Sequence, residues 1–186
     1  MRDLATARSR PLVAASSVLE PLPPATRYIL RGGEAATAAA AAAFGVGIPA
    51  SACHALAAGE RAALWLGPDE WLLLAPEEDG AAVAAALAAA LSNLPHSLVE
   101  VSHRQSALRL SGAHAATVLS AGCPLDLDAG AFPVGMCTRT MVAKAEVILW
   151  RTGAATFRLE VARSFVAYVS EFLADAARGI IEENRS

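Results

Sequence analysis

Metal ligation or nucleophilic catalysis in this sequence would fall to Cys53-His54, His96, His103, His114, Cys123 and Cys137. No pair of them has the i,i+4 spacing that brings two ligands onto one helix face, or the Cys-x-x-Cys spacing of a structural zinc site, so no metal centre is expected. Cys123-Pro124 follows an expected helix end, where the negative pole of the dipole opposes a thiolate; a buried, inert thiol is the expectation. His54 and His114 read as surface or helix-face histidines. Ser102 and His103 adjoin at a strand end, where alternation sends them to opposite faces, which makes a poor nucleophile and base pair. Gly45-x-Gly47 follows a helix instead of standing between a strand and a helix N-terminus, so it cannot form a dinucleotide fingerprint. No Gly-x-Ser-x-Gly elbow, Walker motif or kinase signature occurs. The catalytic, cofactor-binding and metal-binding sets read from the residues are therefore empty.

What remains is the chemistry of recognition. Arg104, Arg139, Arg151, Arg158 and Arg163 fall in the second half, and Trp65, Trp71 and Trp150 stand in or beside expected hairpin strands. A guanidinium meets a carboxylate bidentately, and arginine and tryptophan are enriched at interface hot spots. Arg104, Arg139, Arg151 and Trp71 are accordingly the candidate partner interface. A solvated face for the arginines and cross-strand packing for the tryptophans is the competing reading.

The elements that would position these residues form two similar series. Strands are expected near 27–31, 61–66, 70–75, 97–102, 106–111, 136–142, 145–151 and 156–161, and helices near 34–44, 77–92, 113–121 and 164–177. Gly32-Gly33 stops the first strand, Gly67-Pro68-Asp69 turns a hairpin, and the acidic Glu77, Glu78 and Asp79 suit a helix N-terminus. Ser164 is read as the cap of the last helix, with Phe165, Val169, Phe172 and Leu173 on one face. Leu30-Arg31-Gly32-Gly33-Glu34-Ala35-Ala36-Thr37 lies against Leu110-Ser111-Gly112-Ala113-His114-Ala115-Ala116-Thr117. The expected fold is α+β: two split β-α-β (ferredoxin-like) units in one pseudo-symmetric body. Residues 1–25 read as an extended or disordered arm, 26–178 as the body (units about 26–95 and 96–178), and 179–186 as a tail.

Composition bounds the class. The apolar fraction is 55%, but much of it is alanine in short runs, and no stretch reaches the roughly 20 residues of a membrane span. A net charge of -3 with one lysine, Lys144, leaves no basic stripe for nucleic acid. Three cysteines without a paired pattern fit a reducing cytoplasm. The first 26 residues lack the continuous apolar core of a secretory signal.

Three segments together resemble one family. They are Trp65-Leu66-Gly67-Pro68-Asp69-Glu70-Trp71-Leu72-Leu73; Val101-Ser102-His103-Arg104-Gln105; and Cys123-Pro124-Leu125-Asp126-Leu127, continuing to Phe132-Pro133-Val134-Gly135-Met136-Cys137-Thr138-Arg139-Thr140. The chain resembles the gamma subunit of heterotetrameric sarcosine oxidase from about Pro21 to Ala176, and the third segment is the most specific. The resemblance implies a fold similar to the folate-binding domain of the glycine-cleavage aminomethyltransferase. It implies a structural role beside alpha, beta and delta subunits in a cytoplasmic flavoenzyme that oxidatively demethylates sarcosine to glycine. FAD, FMN, NAD and tetrahydrofolate would belong to the whole complex, none to this chain, which would dock on the alpha subunit. The aminomethyltransferase relatives carry an acidic residue where this chain has Gly122-Cys123, with Asp126 and Asp128 following. A folate-dependent aminomethyltransferase-like enzyme and a stand-alone small-ligand binding domain are the alternatives to the subunit reading.

Overall fold

The computed structural model of the chain describes residues 12–14 and 17–183. In chain order its elements are β1 (Leu12–Ala14), β2 (Ser17–Pro21), β3 (Ala25–Gly32), α1 (Glu34–Phe44), β4 (Ala55–Ala58), β5 (Arg61–Gly67), β6 (Glu70–Pro76), α2 (Gly80–Leu91), β7 (His96–Glu100), β8 (Gln105–Gly112), α3 (Ala115–Ser120), β9 (Cys137–Val142), β10 (Ala145–Gly153), β11 (Thr156–Ala162) and α4 (Val166–Glu183). Single 3-10 turns, Glu77–Asp79 and Arg163–Phe165, lead into α2 and α4.

Two antiparallel sheets result. One has the strand order β4-β5-β6-β3-β7 and the other β1-β2-β8-β11-β10-β9. The first strand of each unit, β3 or β8, sits between the unit's last hairpin strand, β6 or β11, and one further strand. In the first sheet that further strand is β7, which follows α2. In the second it is β2, which comes from the N-terminal end of the chain: Leu19 lies opposite Leu110 and Glu20 opposite Arg109. Each sheet is thus a split β-α-β unit, as expected, but the second is completed by a segment that precedes the first.

For residues 17–25 this corrects the reading of an N-terminal arm. Ser17 and Leu19 are buried, and Leu22 N–H continues the pairing by donating to Ala107 O at 2.9 Å. The proline cluster Pro21, Pro23, Pro24 marks the end of a strand, where a missing N–H costs nothing. Residues 1–11 lie outside the described residues. At the other end α4 continues through Glu183, so most of the expected tail is helix. Ser164 does not cap α4 with its side chain; it lies within the 3-10 turn.

The core has three parts because both faces of each sheet are covered. Between the first sheet and α1 and α2 lie Leu30, Trp71, Leu73, Phe44, Val83, Leu87 and Leu91. Between the second sheet and α3 and α4 lie Leu108, Leu110, Leu149, Phe157, Leu159, Val169 and Leu173, with Leu19 of β2 among them. The alternate residues Ala62, Leu64, Leu66, Leu72 and Leu74 face Cys137 and Ile148 across the gap between sheets. Continuous apolar runs such as Trp71-Leu72-Leu73-Leu74 follow, since no strand face there is solvated. The alanines of α1 allow close approach: a Cβ placed on Gly32 would stand 2.8 Å from Ala36 Cβ.

Polar groups cross the seam as well. Arg27 Nε of β3 donates to Glu160 Oε2 of β11 at 2.7 Å, with side chains only 2% and 1% exposed. Arg158 holds the other carboxylate oxygen of Glu160 at 2.7 Å, and its cross-strand neighbour Arg109 pairs with Glu20 of β2. A pair this buried is tolerated because each charge has a partner; removing either one leaves an uncompensated ion. At the other side Ala55 N–H donates to Gly135 O and Cys137 N–H to Cys53 O, both at 2.8 Å, so the edges of the two sheets are laced together.

Candidate functional site

The four residues read as a partner interface have different fates. Trp71 is buried, 6% exposed, with its indole N–H donating to Pro49 O at 2.8 Å. Arg151 is equally buried: its guanidinium donates to Leu127 O and Phe132 O and lies over the Phe157 ring at 5.1 Å. Both are corrected from interface to interior. Their strands have helices packed on the face they occupy, which residue type alone does not reveal. Arg139 is exposed but employed within the chain, where it pairs with the Glu70 carboxylate and donates to Leu66 O, tying β9 to the first unit. Only Arg104 is exposed and, among the described residues, without a carboxylate.

The segment Cys123 to Phe132 explains Arg151. Cys123, Leu127 and Phe132 are buried in the second core, and the Leu127 and Phe132 carbonyls of this segment accept from the Arg151 guanidinium. The most specific stretch of the resemblance is therefore folding chemistry. Asp126 and Asp128 are exposed, and their carboxylates accept the backbone N–H groups of Asp128 and Gly130, shaping the loop itself. A side chain at position 122 has no room: a Cβ there would meet the Phe172 ring at 2.5 Å and Ala143 N at 3.0 Å. The turn at Gly122 is packed shut by α4.

Two adjoining clefts, each of about 310 Å³, share Pro24, Glu77, Ser102 and His103. Ser102 is not a free nucleophile, since its Oγ accepts the Arg27 N–H at 3.0 Å and so fastens β3 to the chain after β7. The second cleft adds Arg27, Gln105 and Arg163; Arg27 Nη2 and Gln105 Oε1 are buried without hydrogen-bond partners. The loop carrying Asp126 and Asp128 lines neither cleft. Among the described residues no three His, Cys, Asp or Glu side chains converge as a metal site would require. Burial pushes the Cys137 thiol up to about 12, against an opposing backbone hydrogen bond at Trp65 and with the nearby Cys53 adding to the rise. Burial, and secondarily Glu100, raise the Tyr28 phenol. Neither group is poised to react near neutrality.

Beside the second cleft the chain exposes an aromatic pair, one member of which, Phe165, the helical periodicity sets on one face with Val169 and Leu173. Phe165 and Tyr168 are 43% and 38% exposed and meet edge to face at 6.4 Å. Phe165 belongs to the 3-10 turn, so the α-helical phase that buries Val169 and Leu173 does not extend back to it. The signal available in the sequence was the placement of Arg163 next to these aromatics. No helix among the described residues is long and apolar enough to cross a membrane.

Known proteins share this sequence pattern and fold. The sarcosine oxidase gamma subunit family matches residues 31–179. A sarcosine oxidase subunit gamma from an Arthrobacter species is 39% identical over 176 residues, covering 93% of this chain and 86% of the relative. Another, from Corynebacterium sp. strain P-1, is 41% identical over 145 residues, or 77% of this chain and 70% of that protein. Among solved structures, the heterotetrameric sarcosine oxidase from Corynebacterium sp. U-96, in complex with pyrrole 2-carboxylate, superposes with a TM-score of 0.83 at 35% identity. That match covers 93% of this chain and 90% of the other. The glycine cleavage system aminomethyltransferase T of Bartonella henselae shares the fold at a TM-score of 0.65 and 14% identity, over 89% of this chain and 47% of its own. With the family matched across both units, the chain belongs to the sarcosine oxidase gamma subunit family.

Proposed function

We propose that this chain is the gamma subunit of a heterotetrameric sarcosine oxidase-like complex, docking on the alpha subunit in the cytoplasm and contributing no catalytic group of its own. The observation that carries the reading is the co-extensive match to a chain of a heterotetrameric sarcosine oxidase, 93% of this protein against 90% of that one. A domain recruited into an unrelated protein would match only part of its counterpart. The oxidative demethylation of sarcosine, and the FAD, FMN, NAD and tetrahydrofolate it uses, would then belong to the other subunits. The residues here agree with that division. Gly45-x-Gly47 stands at the C-terminal end of α1, where no N–H groups point outward to cradle a dinucleotide phosphate. The packing of Phe172 against Gly122 leaves no room for a side chain in the turn where the resemblance to aminomethyltransferases would put an acid, which supports the reading.

The test is affinity purification of the tagged chain from its native cell. The eluate is expected to carry flavin absorbance and sarcosine-dependent oxygen consumption, while the chain produced alone is expected to be colourless. An eluate with neither property would overturn the subunit reading.

A further inference from the structure

We propose that the corner formed by Arg104, Arg163, Phe165 and Tyr168 is the surface that docks on the partner subunit, and that it receives an acidic face of that subunit, with carboxylates flanking an apolar recess. The proposal rests on the subunit reading above. Its first support is a census of charge. Of the ten arginines with described side chains, seven make ion pairs: Arg27, Arg31, Arg61, Arg109, Arg139, Arg158 and Arg178. Arg151 is buried against carbonyls. Arg104 and Arg163 remain, both exposed and, among the described residues, both without a carboxylate, and they are neighbours: Arg163 N–H donates to Arg104 O at 3.0 Å. In a chain that carries a net charge of -3, and whose other described surface guanidinium groups are paired, two unpaired ones at one point mark where a partner's negative charge would fit.

The second support is the aromatic pair two and five residues beyond Arg163. Phe165 and Tyr168 offer rigid apolar area to solvent although Val169 and Leu173 of the same helix are fully packed, so the pair is surplus to the core. Arginine beside exposed aromatics is the composition of an interface centre, where the ring fills a recess and the guanidinium binds a carboxylate bidentately. The corner is also held firm. Arg163 Nη1 donates to His103 O at 3.4 Å, which joins the segment after β7 to the turn before α4, so little ordering is left for docking to impose.

The experiment uses the full chain assembled with its partner subunits. An Arg104→Glu, Arg163→Glu variant and a Phe165→Ala, Tyr168→Ala variant are each expected to weaken assembly by about tenfold or more, as hot-spot losses do. The wild-type affinity is expected to fall as salt rises. Arg31→Glu, a single charge reversal at an exposed pair with Asp69, is expected to leave assembly unchanged. Thermal midpoints of the isolated variants confirm that the body is folded; if the charge reversals unfold it, Arg104→Gln with Arg163→Gln reads the same contact. Undiminished assembly of folded variants overturns this surface while the subunit reading stands. A wild-type chain that never assembles overturns the subunit reading itself. An isolated chain that dimerises through this corner would show that the occupant is a second copy, and would overturn the acidic partner face.

Discussion

The two units differ most at their fourth strand. In the first sheet β7 follows α2 directly and is the open edge, with Val99 51% exposed. In the second sheet the equivalent place beside β8 is filled by β2, imported from the N-terminal end, and β1 lies outside it, paired Leu12 to Leu19. The same architecture is thus completed locally in one half and by a non-local contact in the other. A repeat in element order does not require a repeat in connectivity, because a sheet edge accepts any strand with the right alternation. The difference also ties the halves together, since β2 belongs to the second sheet while the segment that follows it builds the first.

The largest effect should come from removing that imported strand. Deletion of residues 1–21 strips the edge from β8 and uncovers Leu108 and Leu110, so denaturant unfolding is expected to show a loss beyond the ~2–5 kcal/mol of a single buried Leu→Ala change. Val99→Ala on the corresponding strand of the first sheet is expected to stay within about 0.5 kcal/mol. Equal stability of the truncated and full chains would abolish the contrast between the two edges.

Next in size is the ion pair across the seam. Glu160→Ala leaves Arg27 buried and Arg158 unpaired, with an expected cost of about 3–5 kcal/mol, whereas Arg31→Ala at the exposed pair with Asp69 is expected to cost well under 1 kcal/mol. A tolerated Glu160→Ala would mean that water reaches the seam and that the two sheets pack less closely than their apolar faces indicate.

The smallest effect concerns pH. The Cys137 thiol, at the seam between the sheets, ionises at about 12 in the folded chain against an ordinary 9.0. Because the folded value is the higher one, the contribution is fully present below pH 9 and is lost as pH rises from there toward 12. Unfolding midpoints measured across that window are expected to fall less steeply in Cys137→Ala. An unchanged slope would place the thiol in contact with solvent.

How far the site was legible follows the same division. The stop at Gly32-Gly33, the turn at Gly67-Pro68-Asp69 and the strand patterns on either side are local, so α1, β5 and β6 could be placed from neighbouring residues alone. β4 escaped notice because Ala55-Leu56-Ala57-Ala58 has little strand propensity; it forms because β5 offers an edge. β2 was hidden by the prolines that end it. Arg104 stayed at the surface, but Trp71 and Arg151 did not, although all three stand in or beside strands with similar neighbours.

Residue order by itself determined the α+β class, the repeated strand-helix series, the absence of a dinucleotide fingerprint and the resemblance carried by the segments around Trp71, His103 and Cys123. Each depends on short-range patterning, where backbone freedom and side-chain alternation act within a few residues. Tertiary structure alone decided that β2 closes the second sheet, that Arg151 is a clamp for the Leu127–Phe132 loop, and that Phe165 and Tyr168 remain outside. Those outcomes depend on what lies across a sheet face or beyond a helix end. Burial is a property of two surfaces brought together, and a residue's own neighbours in the chain describe only one of them.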